Sequence, residues 1–135
     1  MDQIYANEYG EIQYDEETHL VQIHWSVHCS GQPLRDLLSE ALRHASSHRL
    51  TAWACDMRKL HYMEMADQNW LLRELFPSFS AECHHRVAFV VNINYYELMS
   101  GVQTQNMVGN NMSLAALIDM DFFLTNDEAV HWLFL

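Results

Sequence analysis

Apolar and polar residues alternate from His19 to His28. Val21, Ile23, Trp25 and Val27 fall on one face, and Gln22, His24, Ser26 and His28 on the other, which predicts a strand with one face buried. Glu11 to Tyr14 predicts a shorter strand before it, with Asp15-Glu16-Glu17 as the turn between them. The period then changes. Leu34, Leu37, Leu38, Ala41, Leu42 and Ala45 lie at helical spacing, so a helix is expected to open at Ser30-Gly31-Gln32-Pro33 and run out near His48.

Thr51 to Asp56 reads as a short apolar strand and residues 57 to 64 as a loop. A second helix is expected from about Met65 to Phe76, stopped by Pro77. Arg86 to Ile93 is almost continuously apolar, the pattern of a strand covered on both faces. A third helix is expected from near Asn94. Gly101 to Ser113 reads as a loop, or a weak helix end followed by a loop. A last strand is expected around Leu117 to Phe123, and Thr125-Asn126-Asp127-Glu128 forms a capping box for a terminal helix with Ala129, Val130, Trp132 and Leu133.

This order predicts an α/β fold: a mixed, mostly parallel sheet of about five strands, with an N-terminal hairpin, about four helices and right-handed connections. The 135 residues, half of them hydrophobic, suffice for a single domain over 1–135.

Charge narrows the function. Eighteen acidic against seven basic residues give a net charge of -11. Every Lys and Arg lies between Arg35 and Arg86, where seven acids balance them, so the net charge belongs to the two flanks. That leaves no basic footprint for sequence-independent binding to nucleic acid or to an anionic membrane. No signal peptide and no bilayer-length apolar run is visible. Cys29, Cys55 and Cys83 lack CxxC spacing, so no disulfide framework is expected, and the cytoplasm is the expected compartment.

Certain residues occur in a telling order: Trp25 at a strand end, Ala54-Cys55-Asp56-Met57-Arg58 at the next, and Asp67-Gln68-Asn69-Trp70 opening a helix. Arg86-Val87-Ala88-Phe89-Val90 then forms a strand, and Phe123 precedes Glu128-Ala129-Val130-His131-Trp132-Leu133. Over most of its length the chain thereby resembles the SpoIIAA-like (STAS-like) family of small bacterial proteins. The resemblance implies a fold similar to anti-sigma-factor antagonists and to CRAL-TRIO lipid carriers. It also implies a non-catalytic interaction or regulatory module whose partner is another protein or a second copy of the chain. In anti-sigma antagonists a phosphorylatable Ser opens the helix after the Asp-ended strand. Met65 stands there instead, and no Ser or Thr occurs between Thr51 and Ser78, so the resemblance brings no phosphorylation switch.

Asp56 ends a parallel-type strand, where ligands gather in open α/β sheets, and Arg58 follows it. Trp70 falls opposite the broad apolar face formed by Met65, Leu71, Leu72, Leu75 and Phe76, with Ala66 and Arg73 beside it. The expected contact surface is therefore Asp56, Arg58, Met63, Met65, Trp70 and Arg73. The alternative is a carrier or sensor of a small apolar ligand. Met57, Met99 and Met107 would line its pocket under a lid made by the third helix and the Gly101 to Ser113 loop.

Catalysis and metal binding find little support. GxSxG, GxxxxGK[ST] and GxGxxG are absent. His44 and His48 stand i, i+4 without an intervening HExxH glutamate, and His24 and His28 are too far apart along one strand to share an ion. Asp119 and Asp121 read as the solvated face of an edge strand. No enzyme, metal or cofactor is expected.

Overall fold

Strands neighbour one another in the order in which the chain makes them. In the computed structural model, which describes residues 2–93 and 105–135, these are β1 (Asp2–Ala6), β2 (Gly10–Asp15), β3 (Leu20–Trp25), β4 (Ala52–Asp56), β5 (His85–Val90) and β6 (Ile118–Phe123). β1 with β2 and β2 with β3 are antiparallel; the pairings from β3 to β6 are parallel. The sheet is mixed and mostly parallel as expected, but it has six strands where about five were expected. The additional strand is β1. Its sequence, DQIYA, carries little periodicity, and its strand form comes from pairing, Asp2 opposite Tyr14 and Ala6 opposite Glu11.

The helices that lie wholly within the described residues are α1 (Gln32–His48), α2 (Met65–Trp70), α3 (Met112–Leu117) and α4 (Asn126–Leu133). α2 widens into a π turn over Leu71–Leu75 and tightens into a 3₁₀ turn over Phe76–Ser78, so helical backbone continues past Pro77. Residues 105–109 are also helical. Of the two alternatives for Gly101 to Ser113, the helical 105–109 fits a weak helix end followed by a loop, and the expectation is corrected from Met112 onward. There Asn111 caps α3 by accepting the Leu114 N–H at 3.1 Å. The helix expected from Asn94 begins outside the described residues. Thr125 caps α4 as expected, its Oγ1 accepting from the Glu128 N–H at 3.2 Å, while the Thr125 hydroxyl donates to the Glu128 carboxylate at 3.1 Å.

Both faces of the sheet are covered. Val21, Ile23, Trp25, Trp53, Cys55, Val87 and Phe89 share one core with the apolar stripe of α1 and with Leu71, Leu75 and Phe76. On the other face, Leu20, Ala52, Ala54, Ala88 and Val90 pack with Ala129 and Leu133 of α4. The small alanines let α4 lie close against the strands. Two expectations for β3 are corrected here. Leu20 and Gln22 are buried, so the strand is not half-solvated. Val27 is 47% exposed, because the strand ends at Trp25. The core is filled: the space between Trp25, Leu71, Phe76 and Phe89 is closed to about 10 Å³.

Candidate functional site

The parallel register sets the site. His24 lies opposite Asp56, and Asp56 opposite Val90, so the ends of β3, β4 and β5 stand level. A cleft of about 310 Å³ lies there, lined by His24, Trp25, Asp56, Arg58, Lys59 and Asn92. It occupies the strand edge where open α/β sheets bind ligands.

Asp56 is fully engaged. Its Oδ1 accepts the Arg58 amide N–H at 3.2 Å and the Arg58 Nε–H at 2.9 Å. Its Oδ2 accepts from Arg58 Nη2 at 2.7 Å and lies 3.3 Å from His24 Nδ1. Burial by itself would raise the carboxyl, but the hydrogen bonds from Arg58 and His24 outweigh it and hold Asp56 well below the usual carboxylate range. The same pairing raises Arg58. The Arg58 carbonyl in turn accepts from Asn92 Nδ2 at 2.9 Å. At neutral pH Asp56 is therefore a fixed anion with no proton to give. What the cleft offers a ligand is hydrogen bonds and charge.

The chain leaving β4 is pinned inward and outward by turns. Met57 donates its N–H to the Val90 carbonyl, and Leu60 and Met63 drop into the core. The buried Gln68 holds the Met63 carbonyl from its Nε2 at 3.0 Å. His28 accepts the His61 N–H at 3.1 Å, and its ring lies 4.7 Å from that of Tyr62. Val27, Tyr62 and Met65 stay outside, at 47%, 41% and 51% exposure.

The structure thus divides the expected contact residues. Asp56 and Arg58 are joined in the cleft. Met65, the first residue of α2, and Arg73 are exposed. Met63, expected on the surface, is buried, because the loop needs an apolar anchor to close over the core. Trp70 is half-buried against the core, with the Arg35 guanidinium 5.7 Å above its ring. Arg35 also donates from Nε to Asp67 at 3.0 Å, so Trp70 belongs to a joint between α1 and α2. Of the expected pocket residues, Met57 fills the core and Met107 is half-buried, while Met99 lies outside the described residues.

Sequence reading missed His24, Asn92, Arg35 and Asp67 as partners. Each is joined to a residue more than 30 positions away: His24 meets Asp56 through the register of β3 and β4, Arg35 meets Asp67 where α1 packs beside α2, and Asn92 reaches Arg58 from the end of β5. The remaining candidates behave as surface or core. His48 pairs with Glu16 and stacks on Tyr14, and His84 pairs with Asp119. Cys55 is buried, which pushes its thiol up to about 12, and burial also raises Cys29. Among the described residues no group of three His, Cys, Asp or Glu is placed to hold a metal, and no helix is long and apolar enough to cross a membrane.

Comparison with protein-family models, with curated proteins and with solved structures gave no match for this chain.

Proposed function

We propose that the chain is a non-catalytic interaction module of the SpoIIAA-like (STAS-like) kind, docking a protein partner at the end of the sheet where β3 and β4 finish. One observation carries this reading: Val27 and Tyr62, in the loops after those strands, and Met65, at the start of α2, are large apolar side chains left exposed. Large apolar side chains grouped on a polar surface mark contact sites, and Tyr is a frequent hot-spot residue. Lys59, in the loop after β4, and Arg73, in the turn that follows α2, are exposed and make no ion pair among the described residues. They favour a partner with an acidic rim around an apolar centre. The locked Asp56–Arg58 pair supports a rigid recognition element and leaves no acid or base free for chemistry.

Met65→Asp and Arg73→Glu change exposed positions, so both variants fold. Each is compared with the wild-type chain as bait for interacting proteins, with self-association followed by sedimentation. A partner, or a dimer, held by the wild-type chain and lost in both variants supports the reading. Identical partners and mass for all three chains overturn it.

A further inference from the structure

The cleft at the ends of β3, β4 and β5 holds more positive charge than its carboxylate balances. Arg58-Lys59 is the sole place in the chain where two Lys or Arg residues adjoin. Both line this space of about 310 Å³, beside His24, Trp25, Asp56 and Asn92. Asp56 is the only carboxylate among the described residues that line it, and it is committed to Arg58. Lys59 makes no ion pair among the described residues, so the cleft keeps a surplus cation. In a chain of net charge -11, this local reversal of sign draws anions to the cleft.

The way Asp56 holds Arg58 matters as much as the charge. A guanidinium has two edges that fit an oxyanion: Nε with one terminal nitrogen, and the two terminal nitrogens together. Asp56 occupies the first, accepting from Nε at 2.9 Å and from Nη2 at 2.7 Å. No described residue accepts from Nη1, and the side chain is 42% exposed, so the outer edge is open. It is also fixed in place. Asp56 accepts the Arg58 amide N–H as well, its Oδ2 lies 3.3 Å from His24 Nδ1, and Asn92 holds the Arg58 carbonyl. Donors held before binding lose little freedom when a ligand arrives. The other guanidiniums differ. Arg35 serves Asp67 and the Ala66 carbonyl, Arg43 serves Glu40, and Arg86 serves the Trp132 and Leu135 carbonyls. Arg49 and Arg73 have no Lys or Arg next to them.

We propose that this cleft binds a phosphoryl group, as free phosphate or a small phosphate monoester, with two oxygens on the outer edge of Arg58 and a third on Lys59. A carboxylate has two oxygens and one charge, which the guanidinium edge alone satisfies. A phosphate has a third oxygen for the ammonium and a second charge for the second cation. Asp56, on the inner edge, anchors the guanidinium and is turned to it, not to the ligand. The chain binds this anion by itself, so the site goes beyond the docking of a protein, although Lys59 belongs to both surfaces.

Inorganic phosphate, phenyl phosphate and acetate are the probes, titrated into the full chain at constant ionic strength. Calorimetry gives the affinity and backbone amide NMR shifts give the place. The expected result is saturable phosphate binding with shifts centred on 56–59 and Asn92, and acetate weaker by about tenfold or more. Phenyl phosphate binding tighter than phosphate identifies an ester as the ligand, and equal or weaker binding identifies the free ion. Lys59→Gln changes an exposed position, so it folds, and it weakens phosphate about tenfold, the worth of a charged hydrogen bond. Arg58→Lys keeps a cation for Asp56 but removes the fork, and it weakens phosphate to a similar extent. Arg49→Gln, exposed at the end of α1 and off the cleft, leaves binding unchanged. Unfolding midpoints of the variants separate lost affinity from lost fold. Binding that does not saturate, shifts centred elsewhere, acetate as tight as phosphate, or a folded Lys59→Gln chain that binds phosphate like the wild type overturns the proposal. A partner captured or not captured by the docking surface does not bear on it.

Discussion

Arg35 on α1 reaches the carboxylate of Asp67 on α2, Nε to Oδ1 at 3.0 Å, and Asp67 is only 1% exposed. The other carboxylate oxygen accepts the Gly31 N–H at 3.0 Å, and a second guanidinium nitrogen of Arg35 donates to the Ala66 carbonyl. Gly31 stands at φ 67, where Gly is the suited residue, and this bond holds it as the chain turns into α1. One buried acid thereby fixes where α1 starts and how α2 sits beside it.

Asp67→Ala is expected to destabilise the fold by about 3 kcal/mol, since it strands the Arg35 charge and the Gly31 N–H together. Asp67→Asn keeps an acceptor for Gly31 and should lose clearly less. Urea unfolding of both variants measures the difference. Equal losses would mean that packing, not pairing, sets the cost.

Asp56 gives a pH dependence of definite sign. Its folded carboxyl lies below the ordinary unfolded value of about 3.9, so the unfolded chain takes up the proton first as the solution is acidified. Its contribution to stability is full above that value and is lost as pH falls toward the folded pKa. The gap between the wild-type chain and Asp56→Asn should therefore be widest near neutral pH and narrow below about pH 4. Denaturant midpoints between pH 7 and 3 check this, and a gap that stays constant with pH would exclude the Asp56 pairing as its source.

Gly10 opens β2 at a very close approach. A β-carbon there would stand 2.3 Å from the His24 carbonyl oxygen, 3.0 Å from Leu37 Cδ2 and 3.1 Å from Trp25 Cα. The nearest atom is backbone and cannot swing aside. Gly10→Ala should cost about 3 kcal/mol, the upper end for overpacking, and should disturb the pairing of Gly10 with Trp25. Thermal unfolding, with amide exchange along β2 and β3, reads both effects.

Periodicity revealed the elements that bury one stripe or one face. The helix at Gln32–His48 could be read from Leu34, Leu37, Leu38, Ala41 and Ala45, all buried as expected. α4 could be read from its capping box. β1 escaped, because it shows no periodic apolar pattern and its strand form depends on pairing with β2. At the site, Asp56 stood out from its place at a strand end. Its engagement with His24 did not, since that contact requires β3 and β4 to be neighbours in one particular register. Trp70 was misjudged because angle around a helix says nothing of the α1 N-terminus that approaches from outside.

By itself, then, the sequence determined the alternation of strands and helices, the mostly parallel sheet and the filling of its core, because burial of apolar side chains acts through local spacing. The tertiary structure decided which charges meet. Asp56 went to Arg58 and His24, Asp67 to Arg35, and Arg49 was left exposed at the end of α1, with no ion pair among the described residues. Charge pairing is set by distances of a few ångströms between residues far apart in the chain. Those distances exist only once the strands have chosen their neighbours and register.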